Sequence, residues 1–202
     1  MSTWPGRIAL IGCGAMGTAM LAGVRRGDAA SAADVVLVDA VAAAADSAAR
    51  ATGGTVGTVA DAATADLILL AVKPKDAEAV LRDLAPVLSP DAVVVSVVTG
   101  LTVEDLGRLA GTARVVRTMP NLAVAGGTGL VAVCHADLGE RFRDDIAAAL
   151  GPLGTVLSVP EAQFAAATAL VGSGPGVVAL VAEALEEGAV IVGCARGDAR
   201  RM

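Results

Sequence analysis

Three glycines at G-x-G-x-x-G spacing, Gly12, Gly14 and Gly17, follow directly on the apolar run Ile8-Ala9-Leu10-Ile11. Four apolar residues suit a buried parallel strand, and the glycines fall where a helix would begin. Each has its own physical reason: Gly12 permits a sharp turn, Gly14 lets the backbone come close to a pyrophosphate, and Gly17 lets the new helix pack tightly on the strand. A phosphate placed there would meet unpaired N–H groups at the positive end of the helix dipole. Alone, the spacing is a weak signal in a chain this rich in Ala and Gly. A second apolar strand, Val35 to Val38, strengthens it: that strand ends in Asp39, about 20 residues after the last glycine, where a carboxylate can accept hydrogen bonds from ribose hydroxyls.

Other candidates also fall at expected strand ends, where ligands sit in the crevice of an open parallel sheet. They are Ala71-Val72-Lys73-Pro74 and Val98-Thr99-Gly100. Lys73 stands at the mouth of a buried strand with Pro74 fixing the turn, so it either touches cofactor phosphate or ribose or opens a helix as a solvated lysine. Met119-Pro120-Asn121 is also compatible with a simple turn. His135, the only histidine, is expected at the surface, because no Ser, Cys or carboxylate constellation marks it as a base. Cys13 is explained by its small side chain inside the glycine loop rather than by reactivity, which needs a specific electropositive setting.

The elements that must position these residues alternate. Strands are expected at Ile8–Ile11, Val35–Asp39, Thr55–Val59, Asp66–Val72, Ala92–Val98 and Val115–Thr118. Helices are expected over Ala15–Arg26, Val41–Ala51, about Asp61–Thr64, Asp76–Leu84 and Val103–Leu109, the last with Thr102 as cap and Asp105 at its third position. Alternation of this kind predicts a parallel sheet with helices on both faces and right-handed crossovers. Strands at Gly129–Val133 and Thr155–Val159, with a helix at Leu138–Leu150 between them, extend the sheet. Beyond Pro160 the pattern is helical: Glu161–Val171, then Pro175–Val192, broken at Gly172-Ser173-Gly174-Pro175. The second of these is apolar on more than one face, which implies burial on several sides. The division expected is 1–160 for dinucleotide binding and 161–202 for the beginning of a helical dimerisation and substrate domain.

Composition bounds the partners. The chain has 202 residues, 55% of them hydrophobic and 18% charged, so a core can form and disorder is not expected. A net charge of -6 and a sequence pI of about 4.7 leave no basic field for a phosphate backbone, which argues against nucleic acid. Cys13, Cys134 and Cys194 are odd in number and widely spaced; that excludes a disulfide framework and a C-x-x-C metal pair, and fits a reducing cytoplasm. No basic flank precedes an apolar core at the N-terminus, so no signal peptide is expected. Ala162 to Ala182 carries no charge, enough to cross a bilayer, which takes ~20 residues. The Gly-Ser-Gly-Pro interruption and the acidic flanks, Glu161 and Glu183, Glu186 and Glu187, favour two buried helices with a break over a membrane span.

Gly12-x-Gly14-x-Met16-Gly17, Ala71-Val72-Lys73-Pro74, Met119-Pro120-Asn121 and Gly172-Ser173-Gly174-Pro175, in this order and at these separations, resemble the pyrroline-5-carboxylate reductase family over essentially the whole chain. The first motif is shared by many dehydrogenases; the other three together are specific. The resemblance implies a Rossmann-like, doubly wound, mostly parallel α/β sheet followed by the start of an α-helical domain, and reduction of 1-pyrroline-5-carboxylate to L-proline by NADPH or NADH in proline synthesis. It further implies that the dinucleotide is held by Ile11, Gly12, Cys13, Gly14, Ala15, Met16 and Gly17, by Ala71, Val72, Lys73 and Pro74, and by Val97, Val98 and Thr99. Asn121, Ser173, Gly174 and Pro175 fall on the substrate side, and no catalytic residue is assigned.

Two departures stand out. The family usually reads Ser-Gly-Ser-Gly-Pro-Ala-Tyr where this chain has Val171-Gly172-Ser173-Gly174-Pro175-Gly176-Val177, and the family has a further helical domain that forms the homo-oligomer and completes the substrate site. The expectation is therefore a fragment or a degenerate form. Rival assignments are another imine or hydroxyacid reductase on the same fold, or a dinucleotide-binding module without turnover. Asp39, followed by Ala40, predicts NADH over NADPH, with Arg50 in the next helix as the cation that would offset it.

Overall fold

The computed structural model describes residues 5–202 apart from Ala29 and Ala32. Eight strands form one sheet in the order β3-β2-β1-β4-β5-β6-β7-β8: β1 Arg7–Ile11, β2 Asp34–Val38, β3 Thr55–Val56, β4 Leu67–Leu70, β5 Val93–Ser96, β6 Val115–Pro120, β7 Gly129–His135 and β8 Gly154–Ser158. All neighbouring pairs are parallel except β6 and β7, which run antiparallel with Val116 opposite His135 and Pro120 opposite Val131. This is the expected doubly wound, mostly parallel α/β architecture.

Alternation along the strands separates two cores. Ile8 and Leu10 of β1, Leu67 and Leu69 of β4, and Val93 and Val95 of β5 face α1 (Ala15–Val24), α2 (Ala42–Thr52) and α6 (Glu140–Leu150). Ala9 and Ile11, Ile68 and Leu70, and Val94 face α3 (Val59–Ala62), α4 (Pro74–Leu84) and α5 (Val103–Ala110). Strands buried on both faces explain the unbroken Leu and Val runs, which show no polar alternation.

Helix α5 starts where Thr102 predicts. The Thr102 hydroxyl accepts from the Asp105 N–H at 3.0 Å, and the Asp105 carboxylate accepts from the Thr102 N–H at 3.2 Å, a reciprocal capping box. Those bonds to Thr102 hold the Asp105 carboxyl below its ordinary range. A depressed carboxylate contributes stability that is present above its unfolded pKa and lost as pH falls through the folded one. Thr102→Ala should cost ~1 kcal/mol, or ~2–4 °C in Tm for a chain of this size, read by thermal melting at neutral pH; the difference between the two proteins should shrink in acid.

Beyond β8 the structure departs from expectation. Pro160 leads into a 3-10 turn at Glu161–Gln163, α7 (Phe164–Ala167), a π-helical stretch at Thr168–Ser173, α8 (Gly174–Ile191) and the short α9 (Arg196–Ala199). The expected break is absent: one helix runs from Glu161 to Ile191, 31 residues. Pro175 has no N–H to complete an ordinary turn, and the wider π turn just before it takes up the mismatch, so that helix continues where a breaker was expected. Nor is α8 buried, although Phe164 of α7 is. Leu180 and Leu185 of α8 are 65% and 71% exposed, and α8 contains no buried residue. By length and composition this helix could cross a membrane, with a mean hydropathy of 1.8 over its most apolar window, of which 6% is buried.

Candidate functional site

The turn between β1 and α1 is built as its glycines require. Gly12 has φ +100°, and a Cβ there would lie 2.5 Å from the Ala71 carbonyl oxygen and 2.8 Å from the Val72 nitrogen. The loop therefore rests directly on the Ala71-Val72 backbone, which only glycine allows. A Cβ on Gly17 would lie 2.2 Å from the Gly12 carbonyl oxygen, so helix and strand meet at a distance no side chain could fit. At Gly14 the added Cβ would meet no atom within 4 Å. Gly14 is the N-cap of α1 and supplies no side-chain cap, so the first-turn N–H groups, at Ala15 and Met16, lack an intrahelical acceptor. Open space beside free donors at a helix N-terminus is a fitting cradle for a pyrophosphate.

Asp39 does more than its position suggested. Its carboxylate accepts from the Cys13 N–H at 2.7 Å and from the Val41 N–H at 2.8 Å, tying the glycine loop to the end of β2. Each oxygen keeps lone-pair capacity for a ribose hydroxyl. Cys13 is buried, and its thiol donates to the Val38 carbonyl at 3.6 Å. Burial first, and the Asp39 charge second, push that thiol up to about 11, so it stays protonated and unreactive near neutral pH. Arg50 lies in the last turn of α2, eight residues after the helix begins; at 1.5 Å per residue its backbone stands roughly 12 Å along the helix from the end that follows Asp39.

All the other candidates meet at the same carboxyl edge of the sheet. Ala71 and Val72 follow β4 half-buried, and the exposed Lys73 caps α4, with Pro74 at its first position. Lys73 makes no ion pair among the described residues. After β5, Val97 is half-buried and Thr99 exposed, but the Val98 side chain, like that of Ile11, is buried against the helices of the second core. These two offer only backbone to a ligand, since apolar side chains at buried positions are taken by the core. Met119 and Pro120, compatible with a turn by sequence, complete β6; Asn121 makes the turn, accepting from the Leu130 N–H through its side-chain oxygen at 3.3 Å. Gly172 packs so closely on Met119 that a Cβ would lie 3.2 Å from its sulfur. The Met-Pro-Asn and Gly-Ser-Gly-Pro motifs, 53 positions apart at Met119 and Gly172, are thereby brought together, with Ser173 and Pro175 exposed beside them. His135 is half-buried at the opposite edge, its ring edge-on to Phe142 at 5.3 Å.

A groove of about 730 Å³ lies along α5, lined by Thr102, Arg108, Cys134, His135 and Glu161 among others. It contains none of the candidate residues.

Known proteins show the same combination. Residues 7–100 match the family model described as NADP oxidoreductase, coenzyme F420-dependent, and residues 161–202 match that for pyrroline-5-carboxylate reductase dimerisation. Pyrroline-5-carboxylate reductase of Mycobacterium tuberculosis is 36% identical over 94% of this chain and 67% of its own length, and that of Thermus thermophilus is 33% identical over 97% and 75%. The chain belongs to the pyrroline-5-carboxylate reductase family. The solved pyrroline-5-carboxylate reductase of Coxiella burnetii superposes with a TM-score of 0.85 at 26% identity, covering 97% of this chain and 74% of that one. The NADP-bound enzyme of Plasmodium falciparum, also at 0.85 but 22% identical, covers 100% and 75% and shares the fold. One contact at this end of the fold joins Arg117 of β6 to Glu161 at the start of the helical segment. Arg117 was visible as a charge inside an otherwise apolar strand; its partner, 44 positions away, was not.

Proposed function

We propose that this chain reduces 1-pyrroline-5-carboxylate to L-proline, with NADPH or NADH held over the carboxyl edge of the sheet. The observation that carries this reading is the convergence, on that one edge, of the Gly12–Gly17 cradle, Asp39, the Ala71–Pro74 and Val97–Thr99 loops, Asn121, and Gly172–Pro175. When bound, the dinucleotide supplies the hydride. The chain's own residues then have three tasks. The first-turn N–H groups of α1 hold the pyrophosphate, Asp39 accepts from the adenosine ribose, and Lys73 neutralises phosphate charge from the mouth of β4. Asn121 and the Ser173-Gly174-Pro175 turn lie on the substrate side, where holding the imine close and oriented does most of the catalytic work.

We assign residues 1–160 to dinucleotide binding and 161–202 to a helical dimerisation unit; the dimerisation match over 161–202 supports this, and gives the exposed apolar face of α8 a use as a subunit contact rather than a membrane span. A cytoplasmic, small-molecule enzyme without nucleic-acid partners fits the acidic charge balance. The test is NAD(P)H consumption with 1-pyrroline-5-carboxylate beside other cyclic imines and 2-keto acids; preference for a 2-keto acid would move the assignment to another reductase of the same fold.

Cofactor choice follows from Asp39. Its carboxylate is fixed by two backbone N–H groups, Ala40 beside it is exposed and uncharged, and Arg50 is a helix length away. A 2′-phosphate at this corner meets a negative charge, with no guanidinium on the adjoining residue to offset it. NADH should bind more tightly than NADPH in calorimetry at moderate salt; the reverse order would remove Asp39 from the adenosine site.

A further inference from the structure

We propose that Arg117 and Glu161 form a positioning latch that sets where the Gly172–Pro175 turn stands against the strand-end crevice. Its kinetic part rests on the reductase reading above. Arg117 lies on β6, its side chain only 12% exposed, on the same face as Val115 and Met119. Its guanidinium is held from two sides by the first turn of the helical segment: it donates to Glu161 Oε1, and its carbon stands 4.1 Å from the centre of the Phe164 ring. The second Glu161 oxygen, Oε2, accepts from the Val103 N–H at 3.1 Å.

That second bond joins the cofactor side. Val103 opens α5, whose capping box satisfies the N–H groups of Thr102 and Asp105 but leaves that of Val103 open. Glu161 fills it, with its charge at the positive end of the helix. One carboxylate therefore joins the loop that follows β5, the middle of β6 and the start of the helical segment. The same segment touches β6 again where Gly172 packs on Met119, two residues along the strand from Arg117. Pinned at both ends to the strand that delivers Asn121, the segment carries Ser173 and Pro175 at a fixed height over the crevice. The latch needs arginine: a lysine is a point charge that would not stack on Phe164 with a planar fork.

Neither Arg117 nor Glu161 lies in the crevice, so both act through the placement of the turn, and misplacement by a fraction of an ångström costs rate. The test uses two variants of the full chain. Glu161→Gln keeps an oxygen for the Val103 N–H but loses the charge on Arg117; Arg117→Met keeps volume and loses the ion pair. Hydrogen exchange by mass spectrometry should show amides 168–174 exchanging about tenfold faster in both, with NAD(P)H affinity by calorimetry within about twofold of the parent. For 1-pyrroline-5-carboxylate, kcat should fall about tenfold and KM rise, and Arg117→Lys should recover only part of the loss. Unchanged exchange at 168–174 in Glu161→Gln overturns the latch whatever the kinetics; so does cofactor affinity falling as far as kcat/KM, which would make the pair part of the dinucleotide site. If the parent turns over no imine, the reductase assignment falls, and the exchange data alone decide for or against the latch. Should Arg117→Met fail to fold, Glu161→Gln decides.

Discussion

Gly14→Val should leave the fold intact and abolish dinucleotide binding. The backbone at Gly14 has φ -71° and ψ 179°, extended values that valine adopts readily, and the added Cβ meets no protein atom within 4 Å. The cost falls on the ligand. A side chain in that space holds phosphate oxygens away from the first-turn N–H groups, and each charge-assisted hydrogen bond lost is worth ~1.5–3 kcal/mol. Losing two weakens binding by at least ~100-fold. Gly17→Val is the opposite case: its Cβ would stand 2.2 Å from the Gly12 carbonyl oxygen, so helix and strand must separate, and melting temperature should fall before binding can be measured. Calorimetry and thermal melts on the two variants check both halves; a Gly14→Val protein that binds within about fivefold of the parent would take the pyrophosphate out of this turn.

Phe164→Ala is the second large effect expected. Phe164 is fully buried, packed on Met119 and Ala132 with Val159 and Val171 around it, and its ring carries the Arg117 guanidinium. Truncating a buried phenylalanine costs ~3–5 kcal/mol, and at ~2–4 °C per kcal/mol the melt should move by about 10 °C. Phe164→Leu, which keeps most of the apolar volume, should recover more than half. An unchanged melting temperature in Phe164→Ala would mean that the helical segment unfolds independently of the sheet, which its packing on β6 argues against.

The parts of this fold that were legible in the sequence are those where a local rule and the tertiary structure agree. The glycine turn, the Thr102–Asp105 box and the buried strands each announce themselves within about ten residues, because turn, cap and strand are short-range choices. Illegible features depend on what lies far off in the chain. Asp39 follows the fingerprint spacing, yet its bond to the Cys13 N–H needs β2 beside β1. Val98 stands at a strand end by sequence but turns its side chain into the second core, since position along a strand fixes the face and not the use. Gly172-Ser173-Gly174-Pro175 has the composition of a break, yet the π turn before Pro175 keeps the helix continuous, and Gly172 within it packs on Met119, 53 positions earlier. Arg50 sat close to Asp39 in sequence and lies at the other end of a helix in space.

The strand order has a consequence for how the chain reaches this state. Reading across the sheet, each strand lies next to its neighbour in sequence at every junction but one, β1 against β4, where Ile8 pairs with Leu67. Loop closure across such a span is the step that costs most before any contact rewards it. Once β4 docks on β1, β5 through β8 can each add to an edge already formed by the strand before, in the order in which a ribosome delivers them. The β1–β4 junction is also where Gly12 rests on Ala71. The residues that make the cradle are therefore those whose meeting starts the growth of the sheet, and a substitution that spoils their approach should slow refolding as well as weaken the ligand site.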